Sequence, residues 1–311
     1  MTTLLEVEDL SVHFGAARAV DGVSLRMTSG EVVALVGESG SGKTTLVRAI
    51  QGLQVPSAGT IRLDGAETDR ILRRQIQMVF QDPTGALNPR QTIYEVVAEG
   101  LRIRRNAEGE RERVVEALSR AGLRPAERFL SLYPHEISGG QRQRVVIAGA
   151  MVMEPRLLLA DEPVASLDAS IRGEILALLR QLVDETGLAV LVVTHDLGLA
   201  WNIADRVAVM YLGRIVEMGK TEELLADPRH PYTRALLSVI PETKRMEQQI
   251  LTGEIPDPSR VPSGCRFHPR CPLLKSGTLD PGTEQRCMED DPVLIPLGVE
   301  AAAACWPAMT E

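Results

Sequence analysis

The sequence predicts an α/β fold with a mixed, mostly parallel core sheet, and three apolar runs carry this prediction. Residues 31–36, 156–160 and 188–193 are rich in branched aliphatic side chains, and each run has the length of a buried strand. Each run is followed at once by glycine, acidic or histidine-containing polar residues. Because parallel strands end at the same edge of a sheet, we expect these polar residues to lie along one edge.

The first run leads into a glycine-rich loop and then into a helix. Glycines turn the chain tightly and let successive backbone N–H groups face phosphate oxygens, and the positive end of the helix dipole favours the same ligand. The ammonium of Lys43 can reach the terminal phosphates, and the hydroxyl of Thr44 is suited to bind Mg²⁺. This is the pattern of a P-loop. The predicted nucleotide-binding residues are Gly37, Glu38, Ser39, Gly40, Ser41, Gly42, Lys43, Thr44 and Thr45.

The other two runs supply polar groups for chemistry on that nucleotide. Asp161 follows the second run and can hold Mg²⁺ through water, whereas Glu162 can orient or deprotonate an attacking water. The third run leads to Thr194 and His195. A lone histidine at a strand end is more often structural than catalytic. Its expected position on the same edge as Lys43 and Glu162 favours a catalytic role.

A second glycine-rich anion loop lies far downstream, at residues 137–141, with the sequence Ile-Ser-Gly-Gly-Gln. One molecule has no evident geometric need for two such loops around one nucleotide. The sequence therefore predicts that the second loop serves the nucleotide of another copy.

Together these motifs resemble the nucleotide-binding subunit of an ABC transporter, over residues 4–240. Residues 137–141 are similar to the signature sequence of that family, with a conservative change at the first position. Gln81 is similar to the glutamine of the Q-loop, residues 166–168 to the D-loop and His195 to the switch histidine. The resemblance implies an ATPase that uses ATP and Mg²⁺ and works as two cassettes facing head to tail.

The resemblance also implies roles for individual residues. The implied catalytic residues are Glu162, His195 and Gln81. The implied Mg²⁺ ligands are Thr44, Gln81 and Asp161. The residues implied to contact the ATP held by the other cassette are Ser138, Gly139, Gly140, Gln141 and Asp168.

Two further positions are informative by comparison with the family. Phe14 lies where the family places an aromatic ring under adenine, although it could instead pack within the first strand. Gly149 stands where the family usually carries arginine, in the helix after the signature. This departure leaves every implied catalytic position filled.

Residues 4–14, 19–27 and 59–63 predict an antiparallel layer beside the core sheet. Helical apolar spacing in residues 95–101 and 111–123 indicates a helical insert. We therefore predict a nucleotide-binding domain at residues 1–240, with a helical signature subdomain inserted at 82–150, and a short cysteine-containing extension at 241–311.

Two segments resemble one branch of the family, which imports oligopeptides, dipeptides or nickel. These are residues 81–89, in a Pro- and Gly-rich stretch that the family uses to dock its membrane subunits, and residues 227–237. A simple surface turn is the alternative for the first segment. The branch implies a bacterial importer of di- or oligopeptides. The alternatives are a nickel or oligosaccharide importer and, outside transport, a soluble ABC ATPase acting on DNA or the ribosome.

The resemblance implies several partners. They are two transmembrane permease subunits, a second ABC ATPase subunit that is paralogous or identical, and an extracytoplasmic solute-binding protein. The formal net charge of −8 over 311 residues argues against a nucleic-acid partner. No apolar run is long enough to span a bilayer, and no signal peptide is evident, so we expect a peripheral protein at the cytoplasmic face of the inner membrane.

All cysteines of the chain fall in the predicted extension: Cys265, Cys271, Cys287 and Cys305. Disulfides are disfavoured in a reducing cytosol, which leaves metal binding or coincidence. The spacing lacks the paired C-x₂₋₄-C of thiolate zinc sites and better suits an iron–sulfur cluster reached from separated loops. Residues 264–272 also resemble the tail of dipeptide-importer ATPase subunits that carry a [4Fe–4S] cluster. Zinc and unligated thiols are the alternatives, and His268 is a candidate substitute ligand.

Overall fold

A computed structural model describes residues 3–69, 72–106, 108–165, 167–240, 249–297 and 301–309. The chain divides into two compact units. Unit 1 comprises residues 1–4, 27–32 and 68–193, and unit 2 comprises residues 5–26, 33–67 and 194–311. The division into domains at residue 240 stays a prediction.

The secondary structure follows the chain in this order. The strands are β1 (Thr3–Phe14), β2 (Ala17–Thr28), β3 (Val32–Val36), β4 (Ala58–Leu63), β5 (Ala66–Glu67), β6 (Ile76–Val79), β7 (Leu157–Asp161), β8 (Ala189–Thr194), β9 (Arg206–Tyr211), β10 (Arg214–Lys220), β11 (Ile295–Pro296) and β12 (Ala302–Ala303). The α-helices are α1 (Lys43–Gln51), α2 (Pro83–Ala86), α3 (Ile93–Ile103), α4 (Glu110–Arg120), α5 (Gly139–Met151), α6 (Ala169–Thr186), α7 (Leu197–Trp201), α8 (Thr221–Ala226), α9 (Pro231–Ser238), α10 (Pro272–Ser276) and α11 (Pro281–Glu289). Short 3-10 turns lie at Leu72–Gln75, Ala126–Arg128, Pro134–Glu136, His268–Arg270 and Pro307–Met309.

In unit 1, strands β6, β7 and β8 run parallel to one another. Val79 pairs with Ala160, and Asp161 pairs with Val193, so the three strands end at the same edge. Every residue of β7 is buried, which accounts for its continuous apolar sequence. The parallel pairing of β7 and β8 agrees with the prediction made from the second and third apolar runs, whereas β6 was not predicted.

Both segments of unit 1 with helical apolar spacing form helices. Helix α3 begins with a capping box, in which Thr92 and Glu95 exchange hydrogen bonds between side chain and backbone. Helix α4 buries Val114 and Leu118, two members of the predicted apolar stripe. The insert thereby leads from β6 to the glycines at residues 139 and 140, where α5 begins.

Unit 2 contains the predicted antiparallel layer, and its strand order is β2-β1-β4-β5. Strand β3 pairs in parallel with β9, and β9 and β10 form an antiparallel hairpin. The last strands were not predicted: β12 adds to β10, and β11 adds to β12. Part of the extension therefore continues the sheet of the nucleotide-binding region.

A buried aromatic cluster joins the extension to the rest of unit 2. The rings of Tyr211 and Tyr232 lie 4.8 Å apart between centroids, and the ring of Phe267 lies 5.2 Å from Tyr211 and 5.4 Å from Tyr232. All three side chains are fully buried. Aromatic pairs at these distances stabilise a core beyond their burial alone, so Phe267 anchors the extension.

Two hairpin glycines provide a test of this fold. Gly213 (φ 82°) closes the β9–β10 turn, and a Cβ there would lie 2.7 Å from the carbonyl oxygen of Arg18. Gly65 (φ 75°) closes the β4–β5 turn, and a Cβ there would meet nothing within 4 Å. We expect Gly65→Ala to lower the free energy of unfolding by about 1 kcal/mol through backbone strain alone. Gly213→Ala adds the clash and should cost clearly more in urea unfolding. Equal losses would contradict the packing of this turn.

Candidate active site

The glycine-rich loop of unit 2 owes its shape to two close approaches of backbone. A Cβ at Gly37 would lie 2.1 Å from the carbonyl oxygen of Met210, and a Cβ at Gly42 would lie 2.1 Å from that of Ala19. Both glycines have positive φ values, 152° and 106°. No other residue fits at either position without displacing the neighbouring backbone.

Lys43 begins helix α1, and its side chain is only 5% exposed. Its ammonium donates hydrogen bonds to the carbonyl oxygens of Gly37 at 2.7 Å and Glu38 at 2.8 Å. A buried ammonium requires such partners, because desolvation without them is costly. Thr44 follows in the first turn of the helix, where it is half-buried. The loop and the start of the helix thus form a compact cradle for an anion.

Two residues that the sequence analysis missed contact this loop. Tyr232 accepts a hydrogen bond from the backbone N–H of Glu38 at 2.8 Å. Arg270 forms a two-pronged ion pair with the carboxylate of Glu38. These residues lie 194 and 232 positions away in the chain, and no motif spacing connects them to the loop.

In unit 1, three predicted site residues meet at the ends of adjacent parallel strands. Asp161 ends β7 and is 5% exposed. Glu162 has a positive φ of 47° and donates its backbone N–H to the carbonyl of Val193 at 2.9 Å. Gln81 donates from Nε2 to a carboxylate oxygen of Glu162 at 3.0 Å. The left-handed backbone conformation at Glu162 is uncommon for glutamate. Such conformations are often found at functional positions.

The second glycine-rich loop, also in unit 1, forms the N-terminus of helix α5. The hydroxyl of Ser138 accepts from the N–H of Gln141 at 3.2 Å, and the side chain of Gln141 accepts from the N–H of Ser138 at 2.9 Å. This capping box fixes the first turn of a 13-residue helix. Ser138 is exposed, and Gly139 and Gly140 are half-buried. The helix end is therefore accessible from outside unit 1.

Among the other predicted residues, Ser41 is buried within the loop, whereas Phe14, His195 and Asp168 lie at the surface. Phe14 ends β1 with its side chain 52% exposed, and His195 follows β8 and is exposed. Asp168 is exposed at the N-cap of α6, whereas its predicted neighbour Ser166 lies outside the described residues. A Cβ at Gly149 would meet nothing within 4 Å, so glycine is not required there by packing.

The cysteines of the extension converge in unit 2. Cys265, Cys271, Cys287 and Cys305 line one small cavity, together with His230, Phe267, His268 and Trp306. All of the cysteines are free thiols. Within the described ranges, no group of three or more His, Cys, Asp or Glu side chains is positioned to hold a metal ion. The thiols therefore share one cavity, but the described residues do not support the predicted metal site, and metal binding stays a prediction.

Across the part of the chain that the structure describes, no helix combines the length and apolar character needed to cross a bilayer.

Comparison with known proteins identifies two family regions. Residues 20–165 match the ABC transporter family, and residues 216–277 match the oligopeptide/dipeptide transporter C-terminal region. The chain is 48% identical over 288 residues to a putative peptide import ATP-binding protein of Brucella ovis, covering 88% of this chain and 90% of the relative. It is 45% identical over 298 residues to the oligopeptide transport ATP-binding protein OppF of Escherichia coli, covering 87% and 89%.

Solved structures agree with this assignment. The chain is similar to cbiO1 of Clostridium perfringens, part of the ABC transporter complex cbiONQ, with a TM-score of 0.67 and 34% identity, covering 73% of this chain and 92% of that one. It is also similar to the cassette MJ0796 in a dimeric post-hydrolysis state bound to ADP and Pi, with a TM-score of 0.61 and 31% identity, covering 70% and 99%. The predicted α/β P-loop cassette is confirmed, and this chain belongs to the ABC transporter family of ATP-binding proteins, with the C-terminal region of its oligopeptide/dipeptide branch.

Proposed function

We propose that this chain is the ATP-hydrolysing subunit of a bacterial ABC importer for di- and oligopeptides. The observation that carries the chemistry is the hydrogen bond between Gln81 and Glu162 beside the buried Asp161. The peptide substrate is supported by the match of residues 216–277 and by the names of the relatives. The alternative is a nickel or oligosaccharide importer. An ATP-hydrolysing subunit does not contact the transported substrate, so its own residues do not distinguish these substrates.

In unit 2, the glycine-rich loop and Lys43 bind the ATP phosphates. The ammonium exchanges the carbonyl oxygens of Gly37 and Glu38 for phosphate oxygens, which carry more negative charge. The hydroxyl of Thr44 would be a ligand of Mg²⁺. The exposed ring of Phe14 is available to stack on adenine, because it is not buried within its own sheet.

In unit 1, Asp161 would help to hold Mg²⁺, which would neutralise phosphate charge when bound, and Glu162 orients or deprotonates the attacking water. The amide of Gln81 donates to one oxygen of the Glu162 carboxylate and thereby orients this proposed base. Gln81 also contacts Mg²⁺ or the terminal phosphate once ATP is bound. His195 assists by contacting the terminal phosphate.

The second anion loop acts on the ATP of another subunit. The exposed helix end at Ser138 presents backbone N–H groups and the positive end of the α5 dipole, both of which favour phosphate. The trans contacts are assigned to Ser138, Gly139, Gly140, Gln141 and Asp168. The other subunit is a paralogous or identical ATPase, and closure of the pair with ATP drives two permease subunits served by a solute-binding protein. The chain is peripheral to the inner membrane, on its cytoplasmic face.

The thiols of Cys265, Cys271, Cys287 and Cys305 line one small cavity from separated turns, as the ligands of an iron–sulfur cluster do. The cysteine spacing favours such a cluster over a zinc ion, because tetrathiolate zinc sites usually show paired C-x₂₋₄-C. Burial and the neighbouring cysteines raise the pKa of the Cys265 thiol to about 12, so a bound metal would have to displace its proton.

A buried histidine adds to this fit. The Nδ1 of His230 accepts the backbone N–H of Tyr232 at 3.0 Å, so the neutral ring carries its proton on Nε2. Burial lowers the pKa of His230 to about 3, which keeps the ring neutral. Its Nε2 is buried without a hydrogen-bond partner, and the ring lines the thiol cavity. A sulfide or thiolate would satisfy this donor. We propose that Cys265, Cys271, Cys287 and Cys305 hold a [4Fe–4S] cluster, which when bound would tie the turns of the extension together.

Replacement of the proposed base tests the chemistry. We expect Glu162→Gln to retain ATP binding and to lower turnover in the assembled transporter by about 10² or more, the usual worth of general-base assistance. The glutamine side chain can still accept the hydrogen bond from Gln81, so the geometry is kept. Glu154→Gln, at an exposed position of unit 1, is the control. Unchanged turnover in Glu162→Gln would remove that residue from the role.

Uptake measurements test the substrate. We expect proteoliposomes containing the whole importer to accumulate labelled di- or oligopeptides in an ATP-dependent manner, and the Glu162→Gln transporter not to do so. The solute-binding protein encoded beside this chain should be used. Accumulation of nickel or an oligosaccharide in place of peptide would favour that alternative.

Metal analysis tests the cluster. We expect anaerobically purified protein to be brown and to contain iron and sulfide in about equal amounts, close to four of each per chain. Cys287→Ser should lose the iron, whereas His268→Ala should retain it if thiols are the ligands. Colourless protein with stoichiometric zinc would favour the zinc alternative, and metal-free protein with titratable thiols would leave the cysteines unligated.

A further inference from the structure

Glu38 of the phosphate-binding loop is held at three of its groups. Its backbone N–H donates to Tyr232, and its backbone carbonyl accepts from Lys43 at 2.8 Å. Its carboxylate accepts from both terminal nitrogens of Arg270, at 2.7 Å and 3.0 Å. The position of this residue therefore depends on the extension as well as on the loop itself.

Arg270 is built into the extension as a fixed cation. It ends the 3-10 turn at His268–Arg270, and its side chain is 5% exposed. Its guanidinium lies over the ring of Tyr211, 5.8 Å from the centroid. The hydrogen bonds to Glu38 raise the pKa of Arg270, so the side chain is charged at every working pH. A bidentate pair between such groups has a defined geometry as well as a favourable charge interaction.

The charge of Glu38 makes this pair matter for nucleotide binding. A carboxylate within a phosphate-binding loop repels the triphosphate, and the repulsion is strong where solvent is partly excluded. The side chain of Glu38 is 28% exposed, so solvent is partly excluded from its carboxylate. The guanidinium of Arg270 neutralises this carboxylate, and its two hydrogen bonds hold the carboxylate in one orientation.

We propose that Arg270 is a positioning residue of the ATP site, which acts through Glu38 to neutralise and orient the phosphate-binding loop. The extension thereby contributes to ATP affinity without touching ATP. This inference rests on the proposed ATP-binding role of the loop, but not on the identity of the transported substrate.

A double-mutant comparison tests the proposal on the full-length chain in the assembled transporter. We expect Arg270→Gln to raise the KM for ATP about tenfold, the effect of losing one charge-assisted pair, with kcat changed less than twofold. The double variant Glu38→Gln/Arg270→Gln also removes the negative charge that Arg270→Gln leaves unpaired, so it should restore most of the affinity for ATP. A structural role for Arg270 would instead make the double variant as weak as Arg270→Gln, or weaker.

The matched control is Arg266→Gln. Arg266 is as buried as Arg270, lies in the same turn region and pairs with the carboxylate of Asp21, outside the phosphate-binding loop. We expect its KM for ATP to stay within twofold of the wild-type value. An equal rise in this variant would mean that any loosening of the extension weakens binding, and would overturn the specific role of Arg270.

Folding of each variant should be checked by thermal unfolding. If Arg270→Gln does not fold, Arg270→Lys serves instead: it keeps the charge but loses the two-pronged geometry, and should raise KM about threefold. An unchanged KM in the folded Gln or Lys variant overturns the proposal. A wild-type transporter that hydrolyses ATP but imports no peptide would refute only the proposed substrate. The KM for ATP of the variants could still be measured from ATP hydrolysis.

Discussion

The buried ammonium of Lys43 is the constraint on which the phosphate-binding loop depends. A cation that is only 5% exposed must be fully hydrogen-bonded, and here the loop supplies the acceptors from its own backbone at Gly37 and Glu38. The loop can bring those carbonyls inward only because glycine lets it approach the backbone of Met210 and Ala19 so closely. Lys43 thus already stabilises the loop shape that is proposed to receive phosphate, so the proposal requires little rearrangement on binding.

Much of this site could be predicted from the sequence because its parts are local or follow from strand register. The glycine loop and Lys43 are adjacent in the chain, and Gln81 meets Glu162 because each follows one of two neighbouring parallel strands. The antiparallel layer and the helical insert were also predicted, since each segment shows its own periodicity. Assignment of roles to these residues came from the family resemblance, and their geometry alone would allow several reactions.

What the sequence could not reveal lies between segments that are far apart. The contact of Arg270 with Glu38 spans 232 residues, and no motif spacing connects the two positions. The aromatic cluster of Tyr211, Tyr232 and Phe267 likewise draws on three separate segments, so no periodic pattern marks it. The cysteines were recognisable as a group only by their clustering in one part of the chain. Their convergence on one cavity depends on the tertiary packing of the extension.

The distance in sequence between the loop and the extension also has a consequence for synthesis on the ribosome. Residues 37–44 leave the exit tunnel long before Arg270 has been translated, and at typical speeds of about 5–20 residues per second the delay is roughly 10–50 s. Strand β10 also emerges without its neighbour, because β10 ends at Lys220 and β12 begins only at Ala302. The nascent cassette therefore exposes an unpaired strand edge and an unneutralised Glu38 carboxylate, so unit 2 reaches its final form late in translation, when chaperones can still bind the open edge.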